Sequence, residues 1–378
     1  MTRPPKNSGA PSLGAFTAGQ LVRLCDVAGL SASDAEIYAR ILLEMLGPVA
    51  DRPLSLPPPS ASFLSDDHTP VEFSLAFLPG APPALRVLLE PGADAADPAE
   101  GGRAGLLAVR AMARRWNFGT DRLDELEDLF FPSSPHGPFT LWCALELRPG
   151  GVPKVKVYLN PAASGRNRAA ETVREALRRI GHRRAFAVLP QADGYPFFAL
   201  DLGDWDEPRA KVYLRHDHLT AARAADLSRM RPGPDGRAVR EFFQDVSGYA
   251  DVTAPLGAGP LRAGRPGLTC HAFTDRAART PTGFTLHIPV RDYVRHDRDA
   301  LSRATTVLRR RGMEPTALRR ALSAVTSRDP RDGVGLVAYL ALAHQQGRPP
   351  RVTAYVSSEA YRVRPPVPAT RERVPAVG

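Results

Sequence analysis

Cysteine is scarce: Cys25, Cys143 and Cys270 are the only three in 378 residues. They stand far apart and odd in number, which excludes a disulfide framework and offers no metal-ligand spacing. No run approaches the ~18 uncharged apolar residues of a membrane-crossing helix. The opening stretch, MTRPPKNSGAPSLGAF, lacks the apolar core of a signal peptide. A soluble cytoplasmic protein, monomer or homodimer, is expected. There is no P-loop, and no zinc-finger spacing, RNP aromatic pattern or basic arm. The net charge of +10 therefore does not point to nucleic acid. The arginines are interleaved with acids, as in Arg122 to Asp128 (RLDELED). Lysine is rarer still, with four of the 50 basic residues: Lys6, Lys154, Lys156 and Lys211.

Three of those four lysines fall in two related stretches, KVKVYLN from Lys154 to Asn160 and RAKVYLR from Arg209 to Arg215. Alternate residues of a strand face the same side. Lys156, Tyr158 and Asn160 then share one face, and Arg209, Lys211, Tyr213 and Arg215 share another. The opposite faces are Val155, Val157, Leu159 and Ala210, Val212, Leu214. A single strand of this kind reads as a solvated edge; two copies of K-V-Y-L argue for a shared site.

Around them the chain alternates helix pairs with strand pairs. Helical patterns cover 17–30 and 33–46, the second capped by Ser33, then 102–117 and 122–130, 166–181 and 182–189, 219–230 and 238–246, and 299–311 and 315–325. Strand pairs cover 70–77 and 85–90, 140–147 and 154–159, 197–202 and 209–215, 267–273 and 283–290, and 334–343 and 351–356. This makes five rounds of helix, helix, strand, strand, each about 60–70 residues long. The expected fold is α+β: ten antiparallel strands closed into a barrel, with their apolar faces under an outer ring of helices. An open sheet covered on one face is the alternative. One domain is expected over 17–362, with disordered tails at 1–16 and 363–378.

The period-2 rule turns Glu72, Arg86, Lys156, Tyr158, Arg209, Lys211, Tyr213, His287, Arg351, Thr353 and Tyr355 into the lumen. Five cations around one cavity repel unless a polyanion sits among them. Diphosphate fits, because arginine grips its oxygens bidentately and lysine acts as a point charge. Tyrosine and histidine rings just beyond would stabilise a carbocation through their π faces. A diphosphate leaving group beside an aromatic cage suggests ionisation of an allyl diphosphate. A non-catalytic barrel that binds a phosphorylated ligand is the reading from another class.

These motifs, in this order (PVEFS, R-V-L-L-E-P, K-V-Y-L, R-A-K-V-Y-L and R-V-T-A-Y), resemble the bacterial branch of the aromatic prenyltransferases of the dimethylallyltryptophan synthase family, over roughly residues 15–362. The resemblance implies the ABBA prenyltransferase barrel, an indole acceptor, dimethylallyl diphosphate as co-substrate, and no metal or other cofactor. It implies Friedel-Crafts alkylation of L-tryptophan at a benzenoid carbon. A tryptophan-derived peptide or indolactam as acceptor, or a geranyl donor, is the alternative. It gives Glu72 the indole N–H, and gives the diphosphate to Arg86, Lys156, Arg209, Lys211 and Arg351. Tyr158, Tyr213 and Tyr355 form the tyrosine shield. His287 stands where many members carry another tyrosine, and Thr285 where many carry glutamine. Asn160 and Trp142 are candidate acceptor contacts. The lysine that some fungal members use to remove the ring proton has no counterpart. That step falls to Glu72, water, the departing diphosphate or His287.

Overall fold

The alternating segments fold as hairpins. The computed structural model describes residues 10–203, 205–206, 208–248, 266–274 and 279–367. Its strands are β1 (Val71–Phe77), β2 (Ala84–Leu89), β3 (Leu141–Glu146), β4 (Lys154–Leu159), β5 (Gly194–Leu202), β6 (Ala210–His216), β7 (Gly267–Phe273), β8 (Gly283–Ile288), β9 (Val337–Gln345) and β10 (Arg348–Ser357). Each pairs antiparallel with its sequence neighbours, and β1 pairs with β10 from Glu72 opposite Ser357 to Phe77 opposite Val352. That last ladder closes the barrel, so no edge strand remains. The open-sheet alternative is thereby set aside.

Helices surround the barrel, among them Leu13–Val27, Ala32–Leu46, Pro98–Trp116, Ala169–Arg179, Gly236–Ser247, Asp297–Arg309 and Thr316–Val325. The outward strand residues Val155, Val157, Leu159, Val212 and Leu214 meet helical Leu177, Phe242 and Leu308 in one continuous buried cluster. Each such side chain contributes roughly 1.5–3 kcal/mol by leaving water. The strand alternation thus places the hydrophobic core outside the barrel, between sheet and helices, and leaves the lumen to polar groups. No helix among the described residues is long and apolar enough to cross a membrane.

Several boundaries differ from the sequence expectation. Ser31, not Ser33, caps the second helix: its hydroxyl accepts from the Asp34 N–H at 3.0 Å, and the Asp34 carboxylate accepts in return from the Ser31 N–H at 3.3 Å. This is the reciprocal capping box, which needs an acid three residues after the cap. The Asp34 carboxylate also takes the Gly150 N–H at 2.9 Å, which ties this helix to the β3–β4 turn. The helix expected at 122–130 breaks into two short pieces, Asp121–Asp124 and Glu127–Phe130, and the one at 182–189 shrinks to a 3-10 turn, Phe186–Val188.

Parts of both expected tails belong to the fold. The first helix begins at Leu13 with Ser12 as its cap. At the other end the Val334 N–H donates to the Arg364 carbonyl at 2.9 Å, and the Val367 N–H to the Arg295 carbonyl at 2.8 Å. Residues 1–9 and 368–378, the remainder of the two expected tails, lie outside the described residues.

Two histidines on the outward face carry a prediction about stability. His216 contacts the Thr269 hydroxyl at 2.9 Å, and the same hydroxyl lies 3.4 Å from His271. Burial, followed by Arg223, pulls His216 down to about 4; burial, followed by His216 itself, pulls His271 to about 3. Both values lie below the ordinary 6.5, so the unfolded chain binds more protons in acid. Their contribution is complete above pH ~6.5 and is lost as pH falls toward 4, each residue costing about 1.4 kcal/mol per pH unit in that window. Replacing His271 by Gln should therefore flatten the fall in urea-unfolding midpoint between pH 7 and pH 5. A slope equal to that of the wild type would refute this role.

Candidate active site

The lumen holds a cavity of about 500 Å³, room for two small molecules side by side. At one end stand the cations. Arg86 on β2, Lys156 on β4, Arg209 just before β6, Lys211 on β6 and Arg351 on β10 all line it, so strand alternation brings together all five expected cations. Lys154 and Trp205 line the same end. The Trp205 N–H donates to the Val155 carbonyl at 2.9 Å. This pins its ring 4.9 Å from the Lys154 ammonium, 5.7 Å from that of Lys156 and 5.0 Å from the Arg209 guanidinium. A tryptophan face attracts cations, so three of them gather over the ring.

Two carboxylates lie among the cations, and neither was expected. Asp201 on β5 is fully buried; it stands 3.7 Å from the Lys156 ammonium and 3.4 Å from that of Lys211, and it accepts from the Arg209 Nε–H at 2.5 Å. Burial alone would raise its pKa, but Lys211, Lys156 and Arg209 override it and hold Asp201 ionised. Burial pulls Lys211 below the usual lysine range, with Asp201 opposing. Glu146 on β3 pairs with Arg86 at 2.6 Å; burial is again outweighed, here by Arg86, and Glu146 stays low. Burial followed by Arg86 lowers Arg351 to about 10, with Glu146 opposing. The empty cluster is therefore partly neutralised from within.

Next come the rings. Tyr158, Tyr213, His287 and Tyr355 follow one another with centroids 5.7, 5.7 and 5.8 Å apart. The Tyr213 hydroxyl reaches that of Tyr158 at 3.4 Å. Tyr339 continues the series 6.4 Å beyond Tyr355, and Phe197 stands edge-on to Tyr158 and Tyr213. Tyr339 and Phe197 escaped the sequence reading. Both lie on the inward period of their strands, and that is the signal that identifies them. His287 is neutral: burial first, then Lys156, Lys211 and Arg351, lower it to about 3. Its Nε2 is buried and makes no hydrogen bond within the described residues.

Glu72 on β1 lines the cavity. Among the described residues its carboxyl makes no hydrogen bond, and burial raises its pKa to about 8 against the pull of Arg291. Arg291 itself lies over the Tyr339 ring at 4.9 Å and pairs with Asp66 at 3.1 Å.

Two expected contacts are not among the residues that line the cavity. Asn160 lies just past β4, where the chain turns, and its amide donates to the carbonyls of His136 and Phe139 at 2.8 and 2.9 Å while its oxygen takes the Ala162 N–H at 2.9 Å. It is spent on holding a loop. Trp142, opposite Tyr158 on the inward period of β3, stacks on Phe139 at 4.3 Å and meets Phe197 at 5.2 Å; like Phe197 it adjoins the residues that line the cavity without being one of them.

Residues 31–321 match the model of a family described as tryptophan dimethylallyltransferase. The chain belongs to that family. Solved structures of relatives agree over nearly the whole length. PriB, in ternary complex with L-tryptophan and dimethylallyl thiolodiphosphate, is 62% identical over 95% of this chain and 99% of its own, with a TM-score of 0.92. The 5-dimethylallyl tryptophan synthase from Streptomyces coelicolor is 64% identical over 96% of this chain and 100% of its own, with a TM-score of 0.90. The 6-dimethylallyltryptophan synthase from Micromonospora olivasterospora is 39% identical over 94% and 99%, at 0.82. As a family member the chain is an enzyme of prenyl transfer, built on the ABBA barrel.

Proposed function

We propose that this enzyme moves the dimethylallyl group of dimethylallyl diphosphate to a benzenoid carbon of L-tryptophan, without a metal ion. One juxtaposition carries the reading: a five-cation cluster, a wall of rings and a buried carboxyl without a hydrogen-bond partner among the described residues meet in one cavity. The relatives bound to tryptophan and a thiolodiphosphate donor analogue support the substrate pair.

Arg86, Lys156, Arg209, Lys211 and Arg351 take up the charge that develops on the leaving diphosphate. Tyr158, Tyr213, His287 and Tyr355, backed by Tyr339 and Phe197, face the allyl cation with π density and keep water out. Glu72 accepts the indole N–H, which aligns the ring and raises its electron density. The ring attacks the allyl cation and the new C–C bond forms. The ring proton then leaves, and its electron pair restores aromaticity. His287, whose Nε2 makes no hydrogen bond among the described residues, is our candidate to receive that proton. Its basicity is suppressed by burial first and then by Lys156, Lys211 and Arg351, and a diphosphate seated among those cations relieves only their share.

Incubation with L-tryptophan and C5, C10 and C15 diphosphates, read by mass spectrometry and proton NMR, tests the assignment. A C5 adduct on the benzenoid ring is expected. Intact substrates would leave a binding barrel instead. Because the cations replace a metal as the partner of the diphosphate, turnover should survive excess EDTA. Complete loss, restored only by magnesium, would overturn metal independence.

A further inference from the structure

Asp201 lies outside every role assigned above, yet it touches three of the five cations. It comes from β5, opposite Lys156 on β4, and the ladder to β6 brings Lys211 and Arg209 to its other side. Its side chain is fully buried, and its oxygens are held by the Arg209 Nε–H at 2.5 Å and the Arg209 backbone N–H at 3.3 Å. Arg209 is steadied further by Gln345, which accepts from its Nη1–H at 3.1 Å. Glu146 does a like service for Arg86. The two carboxylates offset part of the charge of the five cations, and Asp206 lies 3.9 Å from both Lys154 and Arg348 at the same cavity, so the cluster stays net positive toward a polyanion. A cluster without the carboxylates would hold the product diphosphate, which carries at least as much charge as the allyl diphosphate, more strongly than turnover tolerates.

We propose that Asp201 is a built-in counter-anion, a positioning residue that keeps Lys156, Arg209 and Lys211 assembled in the empty enzyme and weakens the hold on diphosphate so that the product leaves. This inference rests on the reading of the cluster as the diphosphate site.

The test is Asp201→Asn, with inorganic diphosphate as the probe. Calorimetry should show diphosphate binding at least tenfold tighter than in the wild type. Steady-state kinetics should show kcat reduced, with kcat/KM for the donor kept or raised, because release slows while capture does not. A merely structural carboxylate would not divide kcat from kcat/KM in this way. The empty variant should melt earlier than the wild type and be raised further by added diphosphate, since the ligand replaces the missing anion. If the variant does not fold unaided, diphosphate present during refolding should rescue it. Unchanged or weaker binding in a folded variant, or no rescue of an unfolded one, would overturn the inference. A wild-type protein that binds no diphosphate would overturn the assignment of the site itself, which separates the two failures.

Discussion

A Lys211→Glu protein should show no binding of dimethylallyl thiolodiphosphate by calorimetry, and Arg209→Glu should behave alike. Both side chains line the cation end of the cavity, and both lean on Asp201. Reversal changes the local charge by two and sets a second carboxylate beside Asp201. One unit charge at ~4 Å contributes roughly 4 kcal/mol at an effective dielectric of about 20. A two-charge reversal then weakens donor binding about a thousandfold or more, even after generous screening. Lys211→Met removes only one charge and should leave weak, measurable binding. Circular dichroism and the melting midpoint establish whether each variant is folded. A folded Lys211→Glu protein with the affinity of the wild type would move the diphosphate to another place in the barrel.

Glu72→Gln is expected to lower kcat/KM for the indole acceptor while leaving donor affinity alone. Above pH about 8, where the carboxyl is ionised, the substitution keeps shape and an acceptor oxygen but removes the charge. Losing a charged hydrogen bond costs ~1.5–3 kcal/mol, roughly tenfold to somewhat over a hundredfold in rate when the bond acts in the transition state. N-methylation of the acceptor should harm the wild type far more than the variant; equal penalties in both would mean that Glu72 does not meet the indole nitrogen.

The pH profile gives a second reading of the same residue. A buried carboxyl without a hydrogen-bond partner among the described residues takes up a proton rather than stay charged, and burial, opposed by Arg291, sets Glu72 at about 8. The carboxylate is the better acceptor, so kcat/KM should climb as pH rises through about 8 in the wild type. Glu72→Gln has nothing to titrate there and should be flat in that range. A wild-type profile that is flat as well would show that the ionised form is not required.

The chain's own order determined much of this. Alternation is a local property, so Val155, Val157 and Leu159 against Lys156 and Tyr158 is enough to say which side of β4 meets helices and which meets ligand. The same rule reaches Glu72, Arg86, Arg209, Lys211, Tyr213, His287, Arg351 and Tyr355 without any knowledge of their neighbours. Closure is different in kind. It depends on β1 and β10, nearly the whole chain apart, forming one ladder, and no local pattern specifies a partner that distant. Asn160 was misplaced for a related reason: strand parity says which side a residue faces, not where the strand ends. Asp201 shows the limit best. In FFALDL it is one more polar residue at an alternating position. Only the registers of β4, β5 and β6 set its carboxylate against Lys156, Arg209 and Lys211, and charges interact by distance, not by order in the chain.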